Sequence, residues 1–398
     1  MKANELNQSL KYVPWLPKLR QVPHLTIETN MTCNISCRSC YNVNKTYVKS
    51  YEQVCRDVDI GLKKRNVDTL SLLGGEPILH PDILRIIAYV KSKGVVCQLL
   101  SNGYAFLKDS ENKIIDSLIE NGLHRLILHI DKGQKVYRDP KKTIHTLLSQ
   151  FDNKKIRISI SWTIYNEGIG GLSDVLKEFS HYKNFDGILS VLEKDIDESI
   201  KSSYTRSSSP ELLDEYLSLK EKLNLEPSLY LPSNLSKNDV KWLLYLYFVN
   251  VKTFRTFYVS PMVARLFQRQ FLRTVLRKLL RKRQSNLAVI SSLLITGMIE
   301  ILWSPKRFRD YFYLLKSSRF LKNIKFQYFN IQDGPFYDAE HGKVSMCFHC
   351  PDATIRNGKI TPVCFADRIN PLPKGRVPKN VPEELIETVY GHLEELTC

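Results

Sequence analysis

Between residues 24 and about 225, short apolar runs alternate with helix-like segments, and this alternation restricts the possible folds more than any other feature of the chain. The runs HLTIET, TLSLLGG, VVCQLLSNG, RLILHID, RISISWTIY and GILSVL are rich in branched aliphatics and end in polar or glycine positions, so they read as six strands. Helical patterns fill the intervals at 52–64, 82–93, 112–121, 141–151 and 172–182, and a further helix is predicted over 211–223. A strand-helix repeat of this kind predicts an α/β fold with a parallel sheet inside and helices outside. In closed or partial barrels of that design the chemistry gathers at the carboxyl ends of the strands. With 398 residues, 43% of them hydrophobic, the chain can bury a core of that size and still carry an addition.

The chemistry-bearing motifs fall at those strand ends. Cys33, Cys37 and Cys40 follow the first strand in MTCNISCRSCY, with gaps of three and two residues. Three thiolates so spaced can wrap one metal centre and leave its fourth position open. A structural zinc ion is normally closed by four ligands, whereas an iron-sulfur cube held by three thiolates keeps one iron free. Gly74-Gly75-Glu76-Pro77 ends the second strand; its glycines allow close backbone approach, Pro77 stiffens the exit, and Glu76 reads equally as a structural cap.

The CxxxCxxC run followed by GGEP resembles the radical SAM superfamily. The resemblance implies a partial (β/α)6 TIM-type barrel and a 4Fe-4S cluster on Cys33, Cys37 and Cys40. It implies S-adenosylmethionine as cofactor, cleaved reductively to a 5'-deoxyadenosyl radical, with a ferredoxin or flavodoxin type electron donor as partner. By position, the edge at Gly74, Gly75, Glu76 and Pro77 corresponds to the place that receives the SAM amino group. Ser101-Asn102-Gly103 corresponds to contacts with the carboxylate, His129-Ile130-Asp131 with the ribose hydroxyls, and Gly187-Ile188-Leu189 with the adenine. Asp131 suits ribose, because a carboxylate accepts two hydroxyl hydrogen bonds. Two positions depart from the pattern: Ser39 stands where relatives have an aromatic residue, with Tyr41 as a substitute, and His129 stands where they often have serine.

A second cysteine group, CFHCPDATIRNGKITPVC, holds Cys347, Cys350 and, beyond a glycine-centred hairpin, Cys364. It resembles the auxiliary iron-sulfur module of SPASM or twitch type, with one residue more than usual after the glycine and no evident fourth ligand; a zinc site is the alternative. Nine cysteines without an amino-terminal signal pattern fit a reducing cytoplasm. Cys55 and Cys97 read as small buried hydrophobes.

The net charge of +17 is concentrated. Between Lys241 and Lys325 eighteen Lys or Arg residues face only Glu300 and Asp310. Residues 236–325 are otherwise aromatic and apolar, poor in glycine, and predicted to be helical, with Arg265, Arg269, Arg273, Arg277 and Arg281 recurring every fourth residue. Trp242, Tyr245, Tyr247, Phe248, Phe254, Phe257, Trp303, Phe308, Tyr311 and Phe312 surround this stripe. Arginines opposite aromatic and aliphatic residues are the pattern of a helix in a membrane interface. The run from Leu287 to Trp303 has seventeen residues and contains Glu300, short of the ~20 needed to span.

The expected organisation is a core over 1–225, a basic helical region over 226–330 and a cluster module over 331–398. The expected location is cytoplasmic, peripheral to the inner face of the membrane. The expected reaction is hydrogen abstraction from an unactivated carbon, with a membrane lipid as substrate and carbon-carbon bond formation between alkyl chains as outcome. That reading follows a weaker resemblance to lipid-modifying members such as the hopanoid adenosyl transferases and archaeal tetraether synthases. A peptide-modifying maturase and a non-catalytic metal-binding scaffold are the alternatives, and the basic helices could equally be a roof over the barrel. DNA is not expected as a partner, and RNA is disfavoured because no stacking platform accompanies the charge.

Overall fold

A computed structural model describes residues 10–373 except 12, 16–17, 39, 43, 166–171, 194–209, 269–285, 303–304, 318–320, 322 and 339–341. Six parallel strands form in chain order: β1 (His24–Asn30), β2 (Thr69–Gly74), β3 (Val96–Ser101), β4 (Leu123–His129), β5 (Arg157–Ile164) and β6 (Phe185–Leu192). Helices connect them at Tyr51–Lys64, Ile83–Ser92, Lys113–Asn121, Pro140–Gln150 and Leu172–Phe179, within a few residues of the predicted ranges. Local chemistry sets several of their starts. Ser50 Oγ accepts from Gln53 N at 3.2 Å to cap the first helix. Asp139 accepts from Lys142 N at 3.0 Å with Pro140 in the first turn of the fourth, where a missing N–H costs nothing. The expected α/β partial barrel is therefore present.

The sheet continues beyond six strands. β7 (Leu229–Pro232), β8 (Val240–Asn250) and β9 (Arg255–Tyr258) precede β10 (Ile324–Asp333), and the order is β1-β2-β3-β4-β5-β6-β10-β8-β7, with β9 also paired to β8. β10 runs parallel to β6 and antiparallel to β8. This corrects the helical reading of residues 236–325, because the first part of that block is strand. Six of its aromatic residues do not anchor a surface helix: Tyr245, Tyr247 and Phe248 on β8, Phe257 on β9 and Tyr311 are buried, and Trp242 is 9% exposed, whereas Phe308 and Phe312 are exposed on a helix. The arginine stripe from Arg269 to Arg281 and Trp303 lie outside the described residues.

Helices do follow, at Pro261–Gln268, Asn286–Ile301 and Pro305–Lys316. They share a hydrophobic cluster with β8, β9 and the start of β10, built on Val263, Leu293, Tyr311, Leu314, Phe248 and Ile324. Glu300 is buried and accepts from Ser260 N at 2.8 Å and Arg307 Nε at 3.2 Å, so it locks these helices together.

The described part of the C-terminal segment packs against both ends of the sheet. Two short hairpins, β11 (Phe336–Asp338) with β12 (Lys343–Ser345) and β13 (Ala353–Arg356) with β14 (Lys359–Pro362), lead it across the gap between β1 and β7. On the β7 side Phe348 N donates to Pro232 O at 2.9 Å, Asn234 N donates to Met346 O at 2.9 Å, and Ser233 bridges Cys347. On the β1 side the buried Arg356 guanidinium donates to both carboxylate oxygens of Glu28, at 2.7 and 2.6 Å, and to Asp367 at 2.7 Å. Arg65 donates to Cys350 O at 2.8 Å and to His24 O at 3.0 Å. The open side of the barrel is thus closed by the second cysteine segment.

Candidate active site

A cavity of about 860 Å³ occupies the barrel. Register places its lining in layers. His129, Ser161, Leu189, Asn330 and Leu244 are successive partners across β4, β5, β6, β10 and β8. Towards the carboxyl ends of the parallel strands, Thr163, Val191, Gln332, Trp242 and Leu231 form the next layer, while Tyr328 pairs with Leu246 on the other side. Deeper still, Arg125 donates to Asp186 at 2.6 and 2.9 Å, with Arg157 beside them.

Cys33, Cys37 and Cys40 line the mouth of this cavity. The loop that carries them is pinned on both sides. Gly75 N donates to Asn30 O at 2.7 Å and Glu76 N to Thr32 O at 2.8 Å, while Arg38 N donates to Gly133 O at 2.8 Å across the mouth. A Cβ on Gly74 would stand 1.9 Å from Asn30 O, and one on Gly75 2.2 Å from Thr32 O, so both positions require glycine. Lys45 Nζ donates to Cys40 Sγ at 2.9 Å and Asn102 Nδ2 to Cys33 Sγ at 3.7 Å. Burial, and after it the neighbouring Cys40, pushes the Cys37 thiol up to about 11.

The other expected cofactor residues divide into two groups. Gly74, Gly75, Ser101, Asn102, His129 and Leu189 face the cavity. Glu76, Pro77, Asp131 and Ile188 stand behind its wall. Glu76 is fully buried and accepts from Asn102 N at 2.7 Å and Ile78 N at 3.3 Å, the structural cap among its two readings. Burial pushes its carboxyl up to about 7. Asp131, expected to take ribose hydroxyls, spends its oxygens on the protein: Gly133 N at 2.8 Å, Tyr165 OH at 3.0 Å, Thr163 N at 3.2 Å and the His129 ring at 2.9 Å. Burial acts to raise its pKa, but the His129 and Thr163 hydrogen bonds outweigh it and hold the group at about 2. Its role here is to orient His129, the member of the pair that faces the cavity.

Cys350 and Cys364 line the same cavity, while Cys347 lies beside Cys350 in the wall. Both cysteine groups therefore border one space. Among the described residues no three His, Cys, Asp or Glu side chains converge as ligands of a single metal ion. Cys97 is buried as expected, and Cys55 is half-buried. The sequence reading missed Arg356, Arg65, Trp242, Asn330 and Gln332 as site or support residues. The alternation QYFNIQD in β10 was a usable sign of a strand with one polar face, but the arginines' partners are remote in sequence.

Residues 27–150 match the family described as the radical SAM superfamily. The barrel, the cysteine loop at its mouth and that match identify the chain as a radical SAM enzyme. It is 25% identical over 217 residues to a Methanocaldococcus jannaschii protein that carries the name of a glycyl-radical enzyme activating enzyme, covering 52% of this chain and 75% of the relative. It is 27% identical over 120 residues to the GTP 3',8-cyclase of Microcystis aeruginosa, covering 28% of this chain and 36% of that one. Among solved structures it is similar to Streptococcus suis SuiB bound to its precursor peptide SuiA, at 16% identity and a TM-score of 0.40, over 56% of this chain and 49% of SuiB.

The superfamily carries a 4Fe-4S cluster and SAM, and the residues present fit both. Three soft thiolate donors stand on a loop bordering a cavity, and two glycines leave the adjoining backbone edge bare. Cys33, Cys37 and Cys40 would hold the cluster, with Ser101, Asn102 and His129 facing the space beside it.

Proposed function

We propose that this radical SAM enzyme abstracts hydrogen from an unactivated carbon of a membrane lipid, bonding alkyl chains. When bound, the cluster and SAM supply the 5'-deoxyadenosyl radical. The barrel supplies position, exclusion of water and a surface from which a lipid can enter. The observation that carries the reading is a concentration of exposed apolar side chains on two helices whose buried sides pack on strands that also line the cavity. Leu294, Ile295, Met298, Leu302, Phe308, Phe312 and Tyr313 make up seven of the thirteen exposed large hydrophobics among the described residues and lie within twenty residues on or beside the paired helices. Lys306, Arg309 and Arg265 are exposed beside them. Those helices pack on Leu246 and Phe326, which also line the deep end of the cavity, and Leu244, Leu229, Leu189, Ile127 and Leu100 continue its apolar lining upward. A patch of this size on a soluble face calls for a partner, and basic flanks favour an anionic membrane.

No helix among the described residues is long and apolar enough to cross a membrane, which fits surface attachment. An auxiliary iron-sulfur cluster on Cys347, Cys350 and Cys364 belongs to the same proposal, as acceptor of the surplus electron. The test is anaerobic reconstitution with SAM, reductant and vesicles of extracted lipid, followed by mass spectrometry of the lipids. Substrate-dependent mass changes, together with salt-sensitive vesicle binding, support the reading. Absence of vesicle binding at low salt makes the helices a roof and favours the peptide-maturase alternative.

A further inference from the structure

Among the buried polar atoms on cavity-lining residues that have no partner among the described residues, two lie on the strands added to the six-stranded core. Asn330 on β10 is 5% exposed and Trp242 on β8 is 9% exposed. Neither Asn330 Oδ1 nor Trp242 Nε1 has a hydrogen-bond partner among the described residues. Both residues line the cavity. Their placement follows from the strands. Phe329 and Ile331 belong to the hydrophobic core, so the alternate residues Asn330 and Gln332 turn to the lumen. Gln332 is the register partner of Trp242 and Asn330 that of Leu244, which sets the indole and the amide in adjacent layers of one wall. That wall shares the layers that hold Thr163 and His129.

A buried donor or acceptor left unpaired is costly, so atoms of this kind on a cavity wall are normally satisfied by something the cavity receives. One atom accepts and the other donates. The group that satisfies both carries an acceptor oxygen with a hydrogen to give, and on a lining whose surface is mostly apolar, for all its polar residues, that group has an alkyl chain attached. We infer that Asn330 and Trp242 recognise a hydroxyl on the substrate and so fix which carbon of its chain lies beneath the cysteine loop. The inference rests on the alkyl-substrate reading and deepens it: β10 and β8, the strands added to the six-stranded core, are the specificity wall. The two residues are positioning residues and take no part in the chemistry.

The experiment compares 1-octanol with octane by headspace partition against the full-length, anaerobically reconstituted protein. Trp242→Phe removes the indole N–H and Asn330→Leu removes both heteroatoms of the amide, and each leaves a large apolar side chain in place. Each is expected to lower the ratio of octanol to octane affinity by about three- to tenfold, as the loss of one such hydrogen bond gives. Unchanged octane binding in the same variants shows that the lumen is intact. An affinity ratio equal to the unmodified protein's in both variants overturns the inference and leaves the alkyl reading standing. Failure of the unmodified protein to bind either probe overturns the alkyl reading, and the hydroxyl inference with it. Binding of a capped dipeptide amide, lost in both variants while octanol is ignored, transfers the wall to a peptide and overturns the hydroxyl.

Discussion

Gly75 shows how tightly the cysteine loop depends on single atoms. Its missing side chain lets Thr32 O approach to where a Cβ would stand at 2.2 Å, so Gly75→Ala must push the strand end and the cysteine loop apart. Overpacking against backbone costs about 1–3 kcal/mol. The expected outcome is a lower melting temperature and loss of about one cluster's iron, measured by elemental analysis after reconstitution. Glu76 offers a test by pH. Its folded pKa of about 7 lies above the ordinary carboxylate value, so the folded protein binds the extra proton. The stabilisation is complete below the unfolded pKa and is lost as pH rises through about 7, a change on the order of 3 kcal/mol. Glu76→Gln keeps acceptor oxygen for Asn102 N and carries no charge, so its stability relative to the unmodified protein is expected to improve steadily from pH 5 to pH 8 in chemical denaturation. GGEP was legible in sequence as a strand end bordering the site. That its glutamate points away from the cavity was not, because its partners at Asn102 and Ile78 are a matter of packing.

At the scale of elements, the second cysteine segment acts as the closure of the barrel, and Arg356 is the bolt. Its guanidinium holds Glu28 on β1 and Asp367 near the C-terminal cysteines in one buried network. Arg356→Ala strands two buried carboxylates, for which about 3–5 kcal/mol is the usual cost. The expected result is a melting temperature lowered by several degrees, with both cysteine groups losing iron together. Pairing Arg356→Met with Glu28→Gln should recover part of the stability, because the unpaired charge, more than the lost bridge, causes the damage. The helix and strand repeat over 24–192 was readable because each element has a clear period and clear ends. β8 was misread because VKWLLYLYFVN is buried on both faces and so shows no alternation, leaving its length and aromatics to suggest helix. The closure was invisible for another reason: it joins Glu28 to Arg356 and Pro232 to Phe348, pairings that no local pattern encodes.

For the whole molecule, the proposed function would divide between a mouth that holds the cluster, a lumen that holds the substrate and a helical flank that meets its source. Met298→Ser, Phe308→Ser and Phe312→Ser together remove exposed apolar surface and touch neither the barrel nor the cysteines. They are expected to weaken binding to anionic vesicles at least tenfold in a sedimentation assay, while SAM cleavage in detergent-free buffer continues. The account's central claim is that Cys33, Cys37 and Cys40 carry the cluster of a radical SAM enzyme. It is tested most directly by 5'-deoxyadenosine formation in the anaerobically reconstituted protein with SAM and dithionite. The unmodified protein is expected to form it, and Cys33→Ala, Cys37→Ala and Cys40→Ala each to reduce it to background while iron bound at the C-terminal cysteines persists. Formation at the original rate in any of the three variants would contradict the account.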